Sequence, residues 1–181
     1  MTLPDPELIA DGRFLRFVQR NGWEFVERAT SWAVVMLVPV DRDGRLIFVE
    51  QYREPVGQRT LEWPAGLVGD HADEEHETLA TAARRELLEE TGYDAGTLTE
   101  LFTGVPSGGL TSETITCFLA TDLTRVDAGG GDDTEDITVH TIPCVDARAW
   151  LLDAPRRGLT LDAKIFGGLY FAERFLEPEG P

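Results

Sequence analysis

Residues 77–93, E-T-L-A-T-A-A-R-R-E-L-L-E-E-T-G-Y, constrain this chain more than any other stretch. Good helix formers without proline run from Thr78, a candidate N-cap, to Gly92, where a helix would stop in a left-handed turn. Leu79, Ala83 and Leu87 repeat every four residues and make a narrow apolar stripe. Glu86, Glu89 and Glu90 fall at i, i+3 and i+4, so the three carboxylates share one face. Like charges at that spacing cost roughly 0.2–0.5 kcal/mol per pair, and Arg85, four residues before Glu89, offsets only part of this. Such a triplet reads either as a solvated acidic face or as hard oxygen ligands for Mg²⁺ or a similar divalent ion. The residues alone leave both readings open.

The full string narrows the choice. R-E-L-L-E-E-T-G-Y at 85–93, with Glu77 ahead of it, resembles the signature box of the Nudix hydrolases, and Pro64-Ala65-Gly66-Leu67-Val68 is similar to the segment that opens that box. The family's spacing between the two is shorter. Here Leu67 to His76 separate Gly66 from Glu77, which reads as a five-residue acidic insertion in the loop before the helix. The resemblance implies metal-dependent cleavage of a nucleoside diphosphate linked to another moiety. It implies Glu86 and Glu90 as principal metal ligands, Glu89 as a further ligand or water partner, and the Ala65 carbonyl as another ligand. Mg²⁺ or Mn²⁺ is the implied cofactor. Arg85 joins the catalytic set by orienting a box glutamate, and Glu77 is structural, steadying the helix start through its dipole.

Two stretches outside the box bear on the substrate. Glu50-Gln51-Tyr52-Arg53, upstream of P-A-G, resembles the branch that hydrolyses ADP-ribose and other nucleoside diphosphate sugars, where the residue matching Arg53 contacts the phosphates. Ser107-Gly108-Gly109-Leu110-Thr111-Ser112-Glu113 is similar to a loop of bacterial ADP-ribose pyrophosphatases, with a shifted proline and an extra Leu110. That likeness implies Gly108 and Gly109 beside the substrate and Glu113 as candidate general base. The expected activity is therefore hydrolysis of ADP-ribose or a related nucleoside diphosphate sugar to a nucleoside monophosphate and a sugar phosphate. The alternatives are GDP-mannose, UDP-glucose or an oxidised dNTP as substrate, a non-catalytic nucleotide-sugar sensor, or an acidic scaffold or metal buffer.

Charge sets a condition on any of these. The formal net charge is −17, which argues against nucleic acid and against an anionic membrane surface as partners. A phosphate substrate must then be drawn in by local arginine or by metal. Cys117 and Cys144 are too few and too dispersed for a disulfide framework and are expected as buried thiols. No apolar run is long enough to cross a membrane and the first residues do not read as a signal peptide, so a cytoplasmic protein is expected.

Residues 1–181 are expected to form a single domain with a sizeable core. Residues 1–12 read as loose. Residues 13–19 and 23–28 read as strands joined through Asn21-Gly22, a strong hairpin signal. This hairpin, 13–28, is too small to be stable alone, and the resemblance implies that it packs across a homodimer interface. Trp23 and Trp32 can stack on a nucleobase or fill the core. Residues 31–39 read as a strand buried on both faces, with 45–53 as its partner beyond a turn at Asp41–Gly44. Short strands are expected at 60–63, 98–103, 113–121 and 137–142, and helices at 145–154 and 161–177. Leu161, Ile165, Leu169, Ala172 and Leu176 form the second helix's buried stripe, and Gly167-Gly168 hints at close packing. Residues 128–136, A-G-G-G-D-D-T-E-D, read as a flexible, solvated acidic loop. Clustered strands interrupted by two helical regions give an α+β fold, a mixed β-sheet sandwiched between helices with an N-terminal antiparallel hairpin.

Overall fold

The structure, a computed structural model, describes residues 3–31, 33–69, 77–131 and 136–177. The expectation for Trp32 and that for the 70–76 part of the insertion lie outside the described residues.

The organising strand is β4 (Ala33–Pro39), buried along its whole length. Its side chains alternate between two cores because successive residues of a strand point to opposite faces. Val34, Met36 and Val38 enter one core, and Ala33, Val35 and Leu37 enter the other. β4 pairs antiparallel with β7 (Ala65–Val68) and parallel with β9 (Ile115–Arg125), and β9 pairs antiparallel with β8 (Tyr93–Gly104). A second four-stranded sheet has the order β10 (Thr138–Pro143), β5 (Arg45–Arg53), β6 (Gln58–Glu62) and β11 (Thr160–Leu161). The partner expected for β4 across the Asp41–Gly44 turn therefore belongs to the other sheet. Beside that turn an isolated antiparallel bridge joins Val40, just past β4, to Leu46 of β5. Asp41 closes the turn by accepting hydrogen bonds from the Asp43 and Arg45 amides.

Helix α1 (Leu79–Thr91) covers one side, packing Ala82, Ala83 and Leu87 into the core with Val35 and Leu37. Helices α2 (Cys144–Leu152) and α3 (Ile165–Leu176) cover the other, against Phe48, Trp63 and Leu61. The fold is thus α+β, with mixed sheets between helices. α3 starts later than the sequence suggests. Leu161 adds to the edge of β6 as a parallel strand, and Asp162 accepts from the Lys164 amide at the turn into the helix. Ile165, Leu169 and Ala172 are buried as expected, whereas Leu176 is exposed. Cys117 lies in the core, where burial pushes its thiol up to about 12; Cys144 is only half-buried, and its thiol is raised by burial and by Glu173.

The N-terminal segment is more ordered than expected. β1 (Glu7–Asp11), β2 (Leu15–Arg20) and β3 (Trp23–Arg28) form an antiparallel meander with the turn at Asn21 (φ 53°) and Gly22 (φ 78°). β1 was legible only as loose chain, because it lacks an apolar alternation and none of it is buried.

The two glycines of α3 differ. A Cβ on Gly168 would sit 2.2 Å from Trp63 Nε1 and 2.9 Å from Val38 Cγ2, whereas a Cβ on Gly167 meets nothing within 4 Å. Trp63 cannot retreat easily, since its Nε1 donates to the Ile165 carbonyl. Gly168→Ala is therefore expected to destabilise the fold by about 1–3 kcal/mol through overpacking, while Gly167→Ala is neutral or slightly stabilising through helix propensity. Denaturant unfolding of the two variants checks this; equal effects would contradict it.

Candidate active site

α1 is held in place by its termini and by two arginines, Arg84, which donates to Asp94 and the Ala95 carbonyl of β8, and Arg85. Thr78 Oγ1 accepts from the Thr81 amide, capping the start, and Gly92 ends the helix at φ 74°. Flanking the apolar stripe, Glu86 and Glu90 stand one turn apart with relative exposures of 9% and 3%. Glu90 Oε2 accepts from the Ala65 amide at 3.0 Å. The Glu86 carboxyl packs on Gly66 so closely that a Cβ there would lie 1.8 Å from its Cδ, which is why the strand needs glycine at that point.

Arg85 lies between the carboxylates. Its Nη1 donates to Glu86 Oε1 at 2.9 Å and to Glu89 Oε2 at 3.1 Å. Its Nε donates to Glu77 Oε1 at 3.0 Å, and its Nη2 to the Leu67 carbonyl at 3.0 Å and to Glu77 Oε2 at 3.2 Å. Glu77 in turn accepts from the Gly69 amide at 3.1 Å. Glu77 precedes the N-cap and is committed to Arg85 and Gly69, so its hold on the helix is through an ion pair and a hydrogen bond rather than the dipole expected from the sequence.

These groups open onto a cleft of about 550 Å³. Ala65, Arg85, Glu86, Glu89, Arg53 and Glu113 all line it, so residues distant in sequence converge there. Glu90 sits beneath the lining. Trp23, Gly108 and Gly109 lie outside it; Trp23 is 63% exposed on β3, and its Nε1 donates to the Gly109 carbonyl. β3 holds the 107–113 loop directly, through Val26 N to Leu110 O at 2.9 Å and Ser112 N to Val26 O at 3.3 Å.

The cations of the cleft are matched by anions. Arg53 makes a two-pronged pair with Glu62, both bonds at 2.8 Å; Arg28 pairs with Glu113, and Lys164 with Asp162. Arg28 and Glu62 carry no sequence signal because their partners, Glu113 and Arg53, lie in other elements, and Asp162 and Lys164 pair within one turn that no motif marks. Thr60 also escaped notice. Its Oγ1 is buried in this wall without a hydrogen-bond partner among the described residues. Glu50, from the same run as Arg53, is occupied elsewhere. Burial raises its carboxyl, but hydrogen bonds from Arg59 and His140 outweigh this and leave it below the usual range.

Among the described residues five carboxylates and four cations line the cleft, with no surplus of positive charge for a phosphate substrate. The donor set suits a hard divalent ion. Glu86 and Glu90 are buried acids on one helix face, against a glycine where a side chain would fill the space. Among the described residues no group of three acids, histidines or cysteines forms a ready cage. Mg²⁺ needs none, since it keeps several waters and takes one or two carboxylates.

Comparison with known proteins agrees with this geometry. The family model described as NUDIX domain matches residues 30–160. An ADP-ribose pyrophosphatase of Bacillus subtilis is 34% identical over 116 residues, 64% of this chain and 60% of that protein. A GDP-mannose pyrophosphatase of Enterobacter sp. (strain 638) is 39% identical over 135 residues, 70% of this chain and 66% of that protein. The chain thus spans about two thirds or less of either curated relative. A solved structure titled as an ADP compounds hydrolase superposes with a TM-score of 0.67 at 24% identity, covering 97% of this chain and 93% of that one, which shows a shared fold.

Proposed function

The chain belongs to the Nudix hydrolase family, and from that premise we propose that it hydrolyses the diphosphate linkage of ADP-ribose or a related nucleoside diphosphate sugar. The products are a nucleoside monophosphate and a sugar phosphate. The observation that carries this reading is the convergence of the α1 carboxylates, Arg53 and Glu113 on one cleft. The ADP-ribose pyrophosphatase among its relatives supports the substrate class. A second reading, GDP-mannose as the preferred substrate, is favoured by the GDP-mannose pyrophosphatase relative.

In this proposal Glu86 and Glu90, with Glu89 beside them and the Ala65 carbonyl, hold Mg²⁺ or Mn²⁺. Such an ion, when bound, neutralises phosphate oxygens and makes water a better nucleophile. Arg85 orients Glu86 and Glu89 through the bonds it makes to both. Arg53, its side chain 40% exposed at the cleft, contacts the phosphates, while Glu62 fixes the plane of its guanidinium. Glu113 takes the proton of the attacking water, and Arg28 positions it. The whole chain acts as a single domain in the cytoplasm.

We further propose a homodimer built on the N-terminal meander. Leu8, Ile9, Phe14, Leu15 and Trp23 are all exposed on or beside this three-stranded sheet, an apolar surface that a second copy would cover. Trp23 then stands where a neighbouring subunit's substrate can stack on it, with Gly108 and Gly109 behind. Light scattering is expected to give twice the 20.0 kDa chain mass; a mass of 20.0 kDa at working concentration would refute the dimer.

The function is tested with Mg²⁺ on a panel of ADP-ribose, ADP-glucose, GDP-mannose, UDP-glucose, dinucleoside polyphosphates and dNTPs, with products identified. ADP-ribose is expected to be split fastest, to AMP and ribose 5-phosphate, with incomplete selectivity because phosphate and metal contacts are common to all diphosphate sugars. Preference for a dNTP or dinucleoside polyphosphate overturns the substrate class, whereas preference for GDP-mannose keeps the reaction and changes base and sugar. On the best substrate, Glu113→Gln should lower kcat about 10²–10⁴-fold with KM little changed. A change in KM alone would make Glu113 a binding residue.

A further inference from the structure

The last turn of an α-helix leaves carbonyls without intrahelical partners. In α1 two of these belong to Glu89 and Glu90, which carry the carboxylates of the cleft. Their partners are Gly130 and Gly131, in the 128–136 loop that reads from sequence as solvated linker. The Gly130 amide donates to the Glu90 carbonyl at 2.9 Å, and the Gly131 amide to the Glu89 carbonyl at 3.0 Å. Val126 and Asp127 both donate to the Gly92 carbonyl, at 2.9 and 3.1 Å. The described part of this loop is therefore docked onto the end of α1.

The two backbones meet too closely for side chains. A Cβ on Gly129 (φ 70°) would lie 2.3 Å from the Thr91 carbonyl carbon, and one on Gly92 (φ 74°) would lie 2.3 Å from the Asp127 carbonyl oxygen. These contacts are to backbone, which cannot swing aside as a flexible side chain can. Thr91 is itself fully buried and bonds back to the Leu87 carbonyl, so the helix end cannot yield without disturbing the core.

We propose that residues 126–131 form a glycine clamp that positions Glu89 and Glu90 for metal binding by fixing the backbone that bears them. Gly129, Gly130 and Gly131 are positioning residues in this scheme. The proposal rests on the metal platform assigned to α1 above. Partners that orient metal ligands typically change metal affinity by about 10–100-fold when lost. By linkage, a clamp that favours metal binding must itself be favoured by bound metal.

The test compares Gly129→Ala with Gly158→Ala in the full-length protein. Gly158 has a similar left-handed backbone (φ 78°), with nothing within 4 Å of its would-be Cβ and no part in the cleft. It therefore reports backbone strain alone. Titration with Mn²⁺ in the absence of substrate is expected to show affinity about 10–100-fold weaker in Gly129→Ala and unchanged in Gly158→Ala. Hydrogen exchange on the unsubstituted protein supplies a second readout if Gly129→Ala does not fold. Mg²⁺ should slow exchange of the Gly130 and Gly131 amides. Equal Mn²⁺ affinity in Gly129→Ala and the unsubstituted protein, or exchange at Gly130 and Gly131 indifferent to Mg²⁺, overturns the clamp and leaves the metal platform standing. Failure of the unsubstituted protein to bind either ion overturns both.

Discussion

The guanidinium of Arg85 is the interaction on which the rest of this site depends. Three carboxylates and a main-chain carbonyl converge on it, from the segment before α1, from α1 itself and from β7. Without it, the charges of Glu77, Glu86 and Glu89 would face one another in a half-buried setting, where each would repel the others. Removing one member of a buried ion-pair network typically costs about 3–5 kcal/mol, mainly from the charges left behind. Arg85 thus does in the folded protein what the helix sequence could not do alone. It lets an acidic face exist at the wall of a cleft while the adjoining face of α1 is committed to the core.

The same logic runs through the remainder of the cleft. Arg28, Arg53 and Lys164 each face a carboxylate, so the cations of the site are matched and do not reverse the chain's negative balance there. A polyanionic substrate entering alone would find little attraction. A divalent ion held by the α1 carboxylates, as proposed, would change that balance and tie substrate capture and chemistry to the same group. Gly66 in β7 and the glycines of the 126–131 loop let α1 approach its neighbours closely, the one at the Glu86 carboxyl and the other at the helix's last carbonyls.

Much of this was legible in the sequence, and for identifiable reasons. The caps of α1 are local, so Thr78 and Gly92 announced both ends. The Asn21-Gly22 turn is set by backbone preference, and β4 by an apolar run that only burial on both faces explains. The features that escaped all depend on pairing across long separations. Whether β4 pairs with β5 or with β9 is a question of topology, not of local pattern. Arg28 and Glu113 meet although 85 residues separate them. Three consecutive glycines look like linker until the helix end they fit against is in view. Glu77 and Arg53 were singled out as residues, but their partners Gly69 and Glu62 could not be.

In the proposed function the acidic face of α1 carries the metal on which turnover depends, and Glu90 is its most deeply buried carboxylate. It is nearly fully buried, and the amide of glutamine can still accept from Ala65, so Glu90→Gln removes charge while conserving shape. Mg²⁺-dependent turnover should be measured alongside thermal unfolding. Glu90→Gln is expected to stay folded while its rate falls by about 10³-fold or more, since losing a metal ligand removes several kcal/mol of transition-state stabilisation. A folded Glu90→Gln protein with near-normal Mg²⁺-dependent activity would contradict it.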